Sequence, residues 1–200
     1  MTKTIGIVLY PDFEELDAIG PYEVFGMLSG MSGGEWQVVN IAEATGPVRS
    51  HSGLKVVADY SFDDAPPLDV VLVPGGLGSR IAVTKQPLID FVRRSGAAAE
   101  WQASVCTGAF ILHEAGLLAG KRATTHWGAI DMLRQFRDVQ VVDDERYVRD
   151  GNVITSAGVS AGIDMALYLV SLLKDPQTAQ NVQKMMEYYP KPPTFEKVTA

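Results

Sequence analysis

Cys106 is the only cysteine among 200 residues, and it stands in Ala103-Ser104-Val105-Cys106-Thr107-Gly108-Ala109-Phe110. An apolar run there passes through small residues into a helix-length segment, with the small-x-nucleophile-x-Gly spacing of a nucleophile elbow and sulfur in place of the usual hydroxyl. Ser104 and Gly108 flank the nucleophile where a bulky side chain would block close approach of strand and helix. A thiol at a helix N-terminus meets unpaired N–H groups and the positive end of the macrodipole, so the spacing predicts a reactive, accessible thiolate. A lone cysteine is otherwise most simply a buried core thiol. The elbow spacing, at the carboxyl end of an inner strand where open α/β sheets carry their sites, favours the nucleophile.

Two further segments supply what a thiolate would need. Val73-Pro74-Gly75-Gly76-Leu77-Gly78 closes another apolar strand with glycines that can turn their amides toward a ligand. Gly75 and Gly76 are therefore candidate substrate-binding residues, and the N–H groups of Gly76 and Thr107 are candidate oxyanion donors. A tight turn alone would also explain the glycine pair. In Pro11-Asp12-Phe13-Glu14-Glu15-Leu16-Asp17-Ala18-Ile19-Gly20-Pro21, three of the acids read as solvated charges, but Asp17 sits in a nearly apolar setting. A carboxyl buried there must be paired or protonated, and beside Cys106 it would share a proton with the sulfur. His51 and His113 lack supporting context, whereas His126 in Arg122-Ala123-Thr124-Thr125-His126-Trp127 could line the pocket. No cluster has metal-ligand spacing, so neither a metal nor another cofactor is expected.

The elements that must position these residues follow from periodicity. Apolar runs at Ile5–Leu9, Val38–Ile41, Leu54–Val57, Val70–Val73 and Ala103–Val105 read as strands buried on both faces. Helix-length segments lie at Tyr22–Leu28 behind Pro21, Leu88–Ala99, Phe110–Ala115, Ala129–Phe136, Ile163–Leu173 and Asp175–Tyr189. This alternation predicts a doubly wound α/β fold, a mostly parallel sheet with helices on both faces. Around Asp150-Gly151-Asn152 the pattern changes to a small antiparallel hairpin. Without repeats or linkers, residues 1–200 read as a single domain.

Composition narrows the function classes. A net charge of -7 offers no positive field for a phosphate backbone, so nucleic acid is not an expected partner. One cysteine cannot form an internal disulfide, which suits the reducing cytoplasm. Pro11, Asp12, Glu14 and Glu15 interrupt the first apolar run too early for a signal peptide, and no stretch is long enough to span a membrane.

Taken together, five motifs resemble the ThiJ/PfpI superfamily, the flavodoxin-like, class I glutaminase-like group. They are Leu-Asp-Ala-Ile-Gly-Pro at 16–21, Val-Pro-Gly-Gly at 73–76, Ser-Val-Cys-Thr-Gly at 104–108, Ala-Thr-Thr-His-Trp at 123–127 and Ala-Gly-Ile-Asp-Met-Ala-Leu at 161–167. Within that group the chain is most similar to isocyanide (isonitrile) hydratases, which convert an isocyanide and water to an N-substituted formamide. The resemblance implies catalytic roles for Cys106, Asp17 and Thr107, a covalent thioimidate, a small-molecule substrate and a homodimer. Protease-like members place His directly after the nucleophile, where this chain has Thr107. Relatives of the Parkinsonism-associated protein carry glutamate where Asp17 stands. Glyoxalase or deglycase action on α-oxoaldehydes, or a cysteine redox sensor, would use the same sulfur. Sensor domains of AraC-type regulators share the Thr-Thr-His-Trp signature but continue into a helix-turn-helix, whereas this sequence stops at Ala200.

Overall fold

Ile5, Ile7 and Val8 have no solvent exposure, as a strand covered on both faces requires. They belong to β1 (Lys3–Val8), which leads into α1 (Glu15–Met31), β2 (Trp36–Ala42), β3 (Gly46–Arg49), β4 (Lys55–Ala58), β5 (Tyr60–Ser61) and β6 (Val70–Val73). Next come α2 (Ser79–Ala82), α3 (Gln86–Ala98), β7 (Trp101–Val105), α4 (Gly108–Glu114), β8 (Arg122–Ala123), α5 (Ile130–Leu133) and β9 (Gln140–Val141). The hairpin β10 (Tyr147–Asp150) and β11 (Val153–Ser156) precedes α6 (Ala161–Leu173) and α7 (Pro176–Met185). This computed structural model describes residues 2–190.

The central sheet runs β10-β11-β7-β6-β1-β2-β5 and is parallel except for β10, which pairs antiparallel with β11. From β1 the chain moves outward to β2 on one side and to β6 and β7 on the other. Right-handed crossovers then put the two sets of helices on opposite faces. Accordingly α1, α6 and α7 pack together, and α2, α3 and α4 form a second group. The reversal of strand order leaves a crevice at the carboxyl ends of β1 and β6, the place where such sheets bind ligands.

Three local readings changed. Pro21 does not open a helix but lies inside α1, which begins at Glu15 and so carries Asp17 in its first turn. The run at 54–57 is not a buried sheet strand: β4 pairs with β3 as a separate antiparallel ribbon, and Val57 is 60% exposed. The helix expected at 129–136 is a 3-10 turn at Trp127–Ala129 followed by the four residues of α5. Among the described residues no helix is long and apolar enough to cross a membrane.

Candidate active site

Four strand ends converge on Cys106. The residue follows β7 and has φ of 55°, a left-handed backbone that an L side chain adopts only under constraint. Its N–H is held by the carbonyls of Ser156 and Ala157 at 3.0 and 3.2 Å, the last residue of β11 and the one after it. Its own carbonyl accepts from the Thr125 hydroxyl at 2.8 Å, and α4 begins two residues later. The sharp strand-to-helix turn expected from the spacing is therefore pinned from both sides.

Asp17, brought in by α1 from the end of β1, is completely buried. Oδ2 accepts from the Gly75 N–H at 3.0 Å and Oδ1 from the Val159 N–H at 3.1 Å. Burial nevertheless dominates and pushes its pKa up to about 7, against the Gly75 amide and with help from the charge of Glu14. Cys106 is only 7% exposed. Burial, then the Asp17 charge, pushes the thiol up to about 12, while the Thr107 N–H and hydroxyl pull it down. This departs from the accessible, low-pKa thiolate expected of a helix N-terminus. The seven-residue α4 and the Thr107 donors oppose desolvation without outweighing it. Sulfur and carboxyl thus act as a unit that loses its first proton near pH 7 and its second near 12.

The two glycines are present at the site, but their amides are already engaged. Gly75 serves Asp17, and the Gly76 N–H donates to Thr107 Oγ1 at 3.0 Å. Gly76 has φ of 121°, and a Cβ there would collide with the Glu14 amide. The amide that still acts on the thiol, pulling its pKa down, is that of Thr107. His126 lies next to the site, its ring packed so closely on Gly158 that a Cβ would not fit, and its Nδ1 accepts from the Gly128 N–H at 3.1 Å. His113 is elsewhere, stacked on Phe136 and 2.9 Å from Asp138. Among the described residues no three His, Cys, Asp or Glu side chains group as a metal site.

Three contributors carried no sequence signal. The Val159 amide reaches Asp17 from a residue at φ of 53°, and no side-chain pattern encodes that. Ser79, fully buried, donates to Thr107 Oγ1 at 2.9 Å, although it reads as an ordinary loop serine. Tyr10 donates to the Pro74 carbonyl at 2.7 Å, and burial plus the charges of Asp17 and Cys106 push its pKa well up. Tyr10 also walls a cavity of about 610 Å³ with Leu9, Phe62 and Ile81, whose lining includes neither Cys106 nor Asp17.

The DJ-1/PfpI family model matches residues 3–172. The chain belongs to the DJ-1/PfpI family. It is 43% identical over 193 residues to an isonitrile hydratase from Pseudomonas putida, covering 96% of this chain and 82% of that protein. A THiJ/PfpI family protein from Pseudomonas syringae superposes with a TM-score of 0.87 at 37% identity, covering 96% of this chain and 78% of that one. The HTH-type transcriptional regulator CdhR from Pseudomonas aeruginosa is 29% identical over 184 residues. There this chain matches over 92% of its own length and spans 54% of the regulator. The similarity to the hydratase is thus higher than that to the regulator and spread over more of the relative.

Proposed function

We propose that the chain is an isocyanide hydratase in which Cys106 is the nucleophile, Asp17 the proton carrier and Thr107 a donor to the sulfur. The observation that carries this reading is the buried Cys106–Asp17 pair on a constrained elbow, whose first proton leaves near pH 7. Identity of 43% to a Pseudomonas putida isonitrile hydratase supports the substrate class. In the reactive form the sulfur is anionic and Asp17 holds the proton. The sulfur forms a bond to the terminal isocyanide carbon while Asp17 protonates that carbon, giving a thioimidate. The Asp17 carboxylate then takes a proton from water as its oxygen adds to the same carbon, and the nitrogen receives that proton. Collapse breaks the C–S bond, returns the hydroxyl proton to Asp17 and releases the N-substituted formamide with the thiolate restored. Nothing is oxidised or reduced, so the sequence of steps needs no electron carrier.

In this reading the Gly75 and Gly76 amides act by holding Asp17 and Thr107 in place. His126 lines the rim. The protein pairs with a second copy of itself.

The test is formamide production from p-nitrophenyl isocyanide by the purified protein. Turnover that disappears in Cys106→Ala supports the reading, and turnover that survives overturns it. Loss of methylglyoxal without formamide would move the assignment to α-oxoaldehyde chemistry.

A further inference from the structure

Thr107 Oγ1 receives two hydrogen bonds, one from the Gly76 N–H at 3.0 Å and one from the Ser79 hydroxyl at 2.9 Å. The direction of the second bond is fixed by what Ser79 can reach. Its side chain is completely buried, and among the described residues Thr107 Oγ1 is the partner of its hydroxyl. Were Thr107 to donate to Ser79, the serine proton would be buried with no acceptor, which costs more than the bond returns. Both lone pairs of Thr107 Oγ1 are then occupied, so its own proton must be given away. Its acceptor is the Gly76 carbonyl at 3.1 Å, which also accepts from the Ser79 N–H at 3.1 Å, and the Cys106 sulfur on the preceding residue is near enough for the same hydroxyl to pull the thiol pKa down.

We propose that Ser79 is a positioning residue that keeps Thr107 a hydrogen-bond donor to the Cys106 sulfur and denies the thiol proton any acceptor but Asp17. The inference deepens the cysteine reading by adding a residue that touches neither substrate nor sulfur. With the thiol protonated, the Thr107 proton rests on the Gly76 carbonyl. Once the sulfur is anionic, that proton turns to it, because a charged acceptor outcompetes a neutral one that is already shared. Without the Ser79 hydroxyl, Thr107 gains a free lone pair and can accept from the thiol, which favours the protonated sulfur.

The experiment follows the pH dependence of Cys106 alkylation by iodoacetamide, together with thiolate absorbance near 240 nm. In Ser79→Ala both midpoints should rise by roughly half to one pH unit, which below the midpoint slows alkylation about 3- to 10-fold. A purely structural role would lower Tm and leave the midpoints where they are. In a Thr107→Val background, Ser79→Ala should have no further effect on the midpoint, since the two residues act through one bond. If the alanine variant does not fold, Ser79→Gly, which also lacks the hydroxyl and adds no second thiol, carries the same prediction. An unmoved midpoint, or equal shifts with and without Thr107, overturns the proposal. These readouts need no isocyanide, so a shifted midpoint in a protein that makes no formamide would refute the proposed substrate alone.

Discussion

At the Cys106–Asp17 pair, burial raises both groups, the Asp17 charge raises the thiol further, and the Cys106 hydrogen bond draws the carboxyl back down, so each group's proton depends on the other. Alkylation of Cys106 should therefore rise with pH along a limb centred near 7. Removing the carboxylate in Asp17→Asn leaves the buried sulfur to titrate by itself, and the limb should move beyond the ordinary cysteine range of about 8.5. A limb that stays near 7 in Asp17→Asn would show that the carboxyl does not share the proton. The same shift links to stability. An Asp17 pKa raised to about 7 means that between pH 4 and 7 the folded protein holds a proton that the unfolded chain has lost. That contribution is fully present below pH 4 and is lost as pH rises through 7, for a total on the order of 4 kcal/mol. Relative to wild type, Asp17→Asn should gain stability over that interval in urea unfolding at several pH values. A difference that does not change with pH would contradict the burial argument. The sequence displayed both residues, because a lone cysteine at elbow spacing and an acid among apolar neighbours each violate the local pattern. It did not display the sign of the thiol shift, which depends on how deeply the tertiary fold buries them.

Among the elements, the elbow depends on α4 approaching the end of β6. A Cβ on Gly108 would collide with the Val73 carbonyl oxygen and come within 2.9 Å of the Pro74 carbonyl oxygen, and neither backbone atom can swing aside. Gly108→Ala should destabilise the protein by roughly 3 kcal/mol and displace Cys106, reducing formamide production and alkylation together. Wild-type unfolding midpoints and alkylation rates in this variant would refute the close-packing account. Gly108 and the parallel strands were legible because an elbow demands small residues and buried strands demand β-branched runs. The start of α1 was not, since Pro21 suits a first turn and gives no sign that Glu15 to Gly20 are already helical. Nor was the placement of β4, because Lys55–Ala58 has strand propensity whether it joins the sheet or forms a ribbon with β3.

For the whole molecule, net charge and exposed apolar surface make opposing demands on the proposed homodimer. The ribbon of β3 and β4 is anchored to the start of α1, where the Glu15 carboxylate accepts from the Ser50 hydroxyl and the Ser52 N–H, both at 2.5 Å. Leu16, Leu54 and Val57 are exposed on these two anchored elements. Burying them against a second copy would release apolar surface from water. Each copy also carries a net charge of -7, so two copies repel over a distance set by the Debye length, about 10 Å at 0.1 M salt. If apolar contact drives pairing, added salt screens the repulsion and tightens the dimer. If ion pairs drive it, added salt loosens the dimer. Sedimentation velocity across a salt series should show the dimer favoured at high salt. Leu54→Asp together with Val57→Asp should shift the protein toward monomer while leaving its fold intact. A dimer that weakens with salt and ignores those substitutions would place the contact elsewhere, on a charged face.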